Sequence, residues 1–304
     1  MKNPKLLTEI HAKLKSKGWE KVQASRAEKV ISLIGNDMLV NQVNESHVEH
    51  LTETLLDKKL QPSTVNRYLA SLSKMLTYAH KRQAIYNLDR IPFIEWLEEN
   101  EGRERYLEPA EEQKMIQLLT DWKEESYLEL YLFLLDSGMR LGEALSFKKS
   151  NVDNTHGNLV VNLKGSQTKN GHRRSIPLTH RATQIVESKL NDLQSQDNVF
   201  GHLDYWRAEN LWRKLRKGMG LQEDKDFVIH SLRHTCATRL AQSGKIELHL
   251  VGQMLGHRSW AMIQRYAHLV PSNLMGAIDV LNKHTEQRIG VNGTGEADTY
   301  PLVK

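Results

Sequence analysis

The sequence predicts a mainly α-helical protein with a small antiparallel β-sheet, an α+β fold arranged in two domains. Three observations lead there. Apolar residues recur at helical spacing through the first hundred residues, punctuated by Gly and Asn. Residues 158–178 switch to short β-like runs, NLVVNLKG and RRSIPL, around the turn signal Asn170-Gly171. From His230 to Tyr266, three short helical segments follow one another and break at Gly244 and Gly256.

Composition bounds the class. A chain of 304 residues can build two domains with real cores. Hydrophobic content of 39% and charged content of 26% fit a globular rather than a disordered chain. No apolar run is long enough for a transmembrane helix, so no membrane partner is expected. The first residues lack the apolar region of a secretory signal. A single cysteine, Cys236, rules out an intrachain disulfide and suits a reducing compartment, so the cytoplasm is expected. The net charge of +5 permits an anionic partner but is spread over both halves, so local clusters must carry the argument.

The first domain is expected over residues 1–96 and reads as all helix. Leu7, Ile10 and Leu14 mark one amphipathic segment. Ala27, Val30 and Ile31 mark a second, stopped at Gly35, and Val43 to Leu56 is a third. The fourth, residues 62–82, carries Val65, Leu69, Leu72, Leu76 and Ala79 as one stripe, with Ser63 or Thr64 as its expected cap. Asn66, Arg67, Lys74, Lys81 and Arg82 fall on its other faces. A solvated face is the plain reading of such a pattern, and a helix laid along a phosphate backbone is the sharper one.

Residues 97–106 are charged, contain Gly102 and lack periodicity, as a linker would. A second domain is expected over 107–283 and a flexible tail over 284–304. It opens with a helix that has Pro109 in its first turn. A strongly apolar helix then runs from Tyr127 to Leu135 into Gly138, leaving Arg140 at the break. No acidic residue lies between Asp153 and Glu187, so Lys164, Lys169, Arg173 and Arg174 stand on an unopposed basic hairpin. Helices follow near 180–194 and 204–217, the latter carrying Arg213 among other cations. In the last stretch His230 and Arg233 share a helix face one turn apart, His257 sits just past a helix stop, and Tyr266 closes the third segment.

These residues suit one chemistry. Arginine forks match the nonbridging oxygens of a phosphate. A lysine on a hairpin can donate a proton, histidines can accept one, and a phenol can be a covalent nucleophile. Together they describe phosphoryl transfer without a metal, with guanidiniums neutralising charge. The chain has neither a GxxxxGK[ST] loop nor a paired-carboxylate site for two metals. His230 and His234, four apart, would suit zinc, but without HExxH or a cysteine partner that reading is set aside.

In combination the motifs resemble the tyrosine recombinases, the phage-integrase family. The matching stretches are SGMRLGEAL, TKNGHRRSIPL, HSLRHTCATRL, LGHRSW and RYAHL, with nine residues from His257 to Tyr266. The resemblance covers about residues 20–283. It implies a helical SAM-like core-binding domain followed by a tyrosine-recombinase catalytic domain. It also implies an enzyme that cleaves and rejoins double-stranded DNA at specific sites, integrating or excising a mobile element.

By that resemblance Tyr266 attacks a phosphodiester and leaves a 3′-phosphotyrosyl link and a free 5′-hydroxyl. Arg140, Arg233 and His257 hold the phosphate, Lys169 protonates the leaving oxygen, His230 takes the tyrosine proton, and Glu143 orients the site. No metal or other cofactor is implied. The two domains are expected to clamp the duplex. A homotetramer is expected in the synaptic complex and a monomer without DNA, with a helix over 273–281 docking on the neighbouring protomer. An accessory DNA-bending or directionality factor is compatible with this picture. The larger phage integrases carry an extra arm-binding domain, expected here to be absent or reduced to residues 2–21. Two other readings compete: DNA relaxation of the type IB topoisomerase kind, and a DNA-binding module with an inactive site.

Overall fold

The structure, a computed structural model, describes residues 5–99, 105–155, 158–168, 171–257 and 259–269. The chain divides into two compact units, Met1–Gly102 and Arg103–Lys304. In the first, α1 (Leu7–Ser16), α2 (Lys21–Ile34), α3 (Glu45–Asp57) and α4 (Pro62–His80) pack together, and a short α5 (Gln83–Tyr86) follows. Helix α4 is central because its stripe is: Val65, Leu69, Leu72, Leu76 and Ala79 are all fully buried. Each such side chain larger than alanine contributes about 1.5–3 kcal/mol by leaving water. The start of α4 differs from the expected cap. Pro62 occupies the first turn and Gln61 precedes it, because proline's fixed φ already suits a helix and begins it before Ser63. Asn44 caps α3 by accepting from the His47 N–H at 3.2 Å.

Arg67, Lys74 and Lys81 are exposed and lie seven residues apart, which places them on one face of α4, about 10 Å between successive residues. Lys74 also rests over the Trp19 ring at 5.1 Å, and Arg82 over Tyr78 at 3.8 Å. Asn66 does not belong to that face. It is buried, its amide donates to the Leu97 carbonyl at 2.8 Å, and its oxygen accepts from the Leu97 N–H at 3.0 Å. The expectation that Asn66 contacts DNA is therefore corrected: its polar groups tie residues 97–99, taken from sequence as the start of the linker, to α4. Asn66→Ala should lower stability by about 1–3 kcal/mol in urea unfolding by orphaning those backbone groups, and should leave DNA affinity unchanged. Weaker binding at wild-type stability would return Asn66 to the DNA face.

The second unit runs α6 (Pro109–Asp121), α7 (Glu125–Ser137), α8 (Leu141–Ser146), strands β1 (Val152–Thr155), β2 (Asn158–Leu163) and β3 (Arg174–Pro177), then α9 (His180–Leu190) and α10 (Tyr205–Gly218). It ends with α11 (His230–Gln242), α12 (Leu248–Leu255) and α13 (Trp260–Gln264). The apolar α7 is its core element. Phe133 stacks on Phe147 at 5.4 Å, and the buried Tyr131 hydroxyl donates to the Ala208 carbonyl at 2.7 Å. The sheet is antiparallel in the order β1-β2-β3, with Val152 opposite Val161 and Val161 opposite Ile176.

The connection between β2 and β3 is longer than the two-residue turn that Asn170-Gly171 suggested. Leu163 pairs with Arg174, so residues 164–173 form the loop. Within it Thr168 Oγ1 bonds the Gly165 and His172 carbonyls at 3.1 and 2.9 Å. A β-carbon on Gly165 would come within 2.5 Å of the Gly171 carbonyl oxygen, so this crossing needs glycine. Two glycines in the left-handed region stop the helices that deliver the site: Gly138 after α7, at φ 62°, and Gly256 after α12, at φ 70°. The expected helix over 273–281 lies outside the described residues, as do Lys169 and Asn170.

Candidate active site

The break after α7 sets the first groups. Gly138 ends that helix, Arg140 is extended, and α8 begins at Leu141. Glu143 then stands in the first turn of α8, one turn from Arg140, and accepts from the Arg140 backbone N–H and from Arg140 Nη1, both at 2.9 Å. Its other guanidinium partner is Arg174, whose Nη2 donates at 2.7 Å. Glu143 is buried, at 4% exposure, so this carboxylate holds two arginines where water does not compete.

Arg233 comes from the first turn of α11 and is 2% exposed. Its Nη1 donates to the Gly138 carbonyl at 2.6 Å, and its Nη2 to the Leu255 carbonyl. Arg174 Nη1 donates to that same Leu255 carbonyl. Leu255 is the last residue of α12, so two cations meet the carbonyl end of a helix, where its dipole favours positive charge. Three guanidiniums against one carboxylate leave two net positive charges among the described residues. Burial is the first influence lowering the Arg233 and Arg174 guanidinium pKa values; Arg140 adds to it in both, and Glu143 opposes it. Arginine stays protonated in such settings.

Tyr266 follows α13 and is 5% exposed. Its hydroxyl lies 2.9 Å from His234 Nδ1, and its ring lies parallel to His257, within 6°, with centroids 6.2 Å apart. Gly252 allows α12 to approach α13 this closely, since a β-carbon there would meet Ile263 Cδ1 at 2.5 Å. His257 and His234 are pushed down to about 3 and about 4, in both cases by burial first and then by Arg233. His230 is lowered too, by the surrounding protein and then by His234 and Arg233, although one face remains open to solvent. The imidazoles are therefore neutral at neutral pH, able to accept a proton or donate one hydrogen bond. Nδ1 of His257 is buried without a partner among the described residues.

A cleft of about 620 Å³ is lined by Arg140, Glu143, Tyr205, His230 and Met262, and a groove of about 730 Å³ by Arg140, Arg173, Arg174, Leu250 and His257. Arg140 opens on both. Of the residues singled out from sequence, Arg140, Glu143, His230, Arg233, His257 and Tyr266 converge in this region. Lys164, Arg173 and Arg213 are exposed outside the cluster, and Arg213 bonds Asn210 on its own helix. Arg174 departs from the expectation of an unopposed hairpin cation, because Glu143 opposes it and buries it. Strand alternation carried that signal: Arg174 shares a face with the buried Ile176, and Arg173 does not. Sequence reasoning set His234 aside, although its position four residues after His230 places it on the same side of α11.

A mostly helical unit with a three-stranded sheet, a carboxylate-anchored arginine cluster and a phenol beside imidazoles defines a class. Residues 105–272 match the sequence profile of the phage integrase family, and the chain belongs to that family. The shufflon-specific DNA recombinase of Escherichia coli is 29% identical over 235 residues, covering 76% of this chain and 57% of that protein. The integrase of Salmonella phage P22 is 24% identical, covering 76% of this chain and 59% of that protein. The chain thus spans less than two thirds of the length of these two relatives. Among solved structures, the Tn1549 transposon integrase in complex with transposon right end DNA shares the fold at a TM-score of 0.70 and 16% identity, covering 91% of this chain and 100% of that one. XerH bound to palindromic difH substrate does so at 0.62 and 19%, covering 86% and 78%. No helix among the described residues is long and apolar enough to cross a membrane.

Proposed function

We propose that this chain is a tyrosine-type site-specific DNA recombinase that cleaves and rejoins double-stranded DNA through a 3′-phosphotyrosyl intermediate. The observation that carries this reading is the net charge of the arginine cluster next to the Tyr266 hydroxyl. Attack on a phosphodiester, which carries one negative charge, builds a second at phosphorus. Two uncompensated positive charges in a largely buried, pre-formed cluster stabilise that state more than they stabilise the ground state. In this reading Arg140, Arg233 and His257 hold the phosphate oxygens, and Lys169 protonates the departing 5′-oxygen. The phenolic proton passes to an imidazole of α11, His230 by the resemblance. Glu143 keeps the arginines aimed. The phosphotyrosyl bond stores the energy of the broken one, so rejoining needs no nucleotide cofactor.

The exposed line Arg67, Lys74 and Lys81, with Arg82, Lys164, Arg173 and Arg213, supplies phosphate contacts in both units. Integration or excision of a mobile element, a homotetramer on paired sites, a free monomer and an accessory bending or directionality factor belong to the same proposal, as does a cytoplasmic setting. A supercoiled plasmid carrying two direct repeats of the DNA that flanks the gene tests it. The expected product is a pair of smaller circles, formed without ATP. Relaxed plasmid of unchanged sequence would favour topoisomerase-like chemistry, and an untouched plasmid would favour an inactive binding module.

A further inference from the structure

The resemblance assigns the tyrosine proton to His230, yet the 2.9 Å contact with the Tyr266 hydroxyl belongs to His234. The His234 ring centroid is 6.2 Å from that of Tyr266 and 5.1 Å from that of His230, edge-on to the latter at 85°. His234 is also half-buried, with its backbone fixed in α11 one residue after Arg233, so the guanidinium that grips the phosphate and the imidazole at the phenol are held by the same helical turn. We propose that His234 is a catalytic residue, the direct acceptor of the Tyr266 proton, and that His230 stands behind it. This rests on the recombinase reading and deepens it.

With its ring proton on Nε2, His234 offers the Nδ1 lone pair to the phenol. The Tyr266 O–H bond breaks toward Nδ1 as the phenolic oxygen forms a bond to phosphorus. The bond from phosphorus to the 5′-oxygen breaks, and that oxygen leaves as a hydroxyl with a proton from the general acid. Rejoining runs in reverse, with a 5′-hydroxyl attacking and His234 returning its proton to the phenolate.

The groups facing His234 are His230 and Arg233 on its own helix, and Tyr106, His257, Arg265, Tyr266 and His268 from the segments packed against it. Burial first, and then Arg233 and Arg265, favour the neutral ring while no anion is bound. A phosphodiester entering beside Arg233 offsets that positive potential, so the proton affinity of His234 rises as the attack begins. The competing account is that the bond only holds the tyrosine at rest.

The two accounts separate by experiment. The 304-residue chain is mixed in single turnover with a supercoiled plasmid carrying the DNA that flanks its gene, and covalent adduct is counted on denaturing gels as a function of pH. For the wild type, the rate should climb as His234 loses its proton and level off above. His234→Ala should be slower on the order of 10² to 10⁴-fold, the usual loss with a general base, and added free imidazole should restore part of the rate. His234→Gln keeps a hydrogen bond to the phenol but cannot take the proton. It should stay slow, with its climb moved to higher pH, and it carries the test if the alanine variant does not fold. Either variant reacting at or above the wild-type rate, or imidazole rescuing His230→Ala but not His234→Ala, would overturn the proposal. No adduct with the wild-type chain on any DNA would instead remove the recombinase reading, and the proton acceptor with it.

Discussion

Tyr266→Phe should bind DNA as the wild type does and form no covalent adduct. The substitution removes one oxygen. The ring keeps its place, because Tyr266 is 5% exposed and lies parallel to His257 at 6.2 Å, contacts that phenylalanine can make. What is lost is the hydroxyl proposed as the nucleophile, together with its hydrogen bond to His234. That bond is worth about 1 kcal/mol of stability, so the variant should unfold close to the wild type. The chemistry should fall to the floor of the assay, since losing a covalent nucleophile elsewhere has cost on the order of 10⁶ in rate. Denaturing gels measure the adduct and native gels the binding. An adduct that persists in the variant would place the nucleophile elsewhere.

The second large effect is expected at Glu143. Its carboxylate accepts from Arg140 and Arg174, and it offsets one of the cluster's positive charges. Glu143→Ala leaves those guanidiniums with like charges nearby, including buried Arg233, and without their acceptor. Removing one partner of a buried ion pair costs about 3–5 kcal/mol, which for a unit of this size lowers the melting temperature by roughly 10 °C. Glu143→Gln should cost less, because an amide oxygen can still accept from one fork. Sulfate in the buffer should restore the alanine variant more than it helps the wild type, since an oxyanion can take the carboxylate's place among the arginines. Melting curves with and without sulfate measure both. If Glu143→Ala unfolds within about 0.5 kcal/mol of the wild type, as an ordinary surface change would, the cluster does not depend on that acid.

Much of the fold could be read from sequence because burial imposes a period. The stripe from Val65 to Ala79 had to be a helix face, and the glycines after α7 and α12 had to end helices, because each sits where the chain adopts a left-handed turn. β1 escaped because Val152-Asp153-Asn154-Thr155 is an edge strand with a single apolar residue and no alternation to detect. Its hydrogen bonds to β2 specify it, and those exist only after the chain has turned back.

The site divides similarly. The residue types suited to phosphoryl transfer were visible as a list, since arginine, histidine and tyrosine at helix breaks are conspicuous. Their partnerships were not. Which of Arg173 and Arg174 turns inward depends on strand register. Whether Asn66 meets DNA or the chain's own backbone depends on where residues 97–99 return. Which imidazole touches the phenol depends on the angle at which α13 leaves α12.

One of the site's main acceptors belongs to no side chain. The Leu255 carbonyl receives both Arg174 and Arg233, and every amino acid placed at that position would present the same oxygen. Alanine scanning is therefore blind to it: a change at Leu255 would report the loss of a fully buried side chain from the core, and the arginines would keep their partner. The feature is encoded in chain length, in the number of residues between the start of α12 and the turn at Gly256. Single-residue insertions or deletions in α12 would rotate that oxygen away from both guanidiniums at once. Such length changes, which substitution libraries do not sample, are where this part of the site is most exposed to damage.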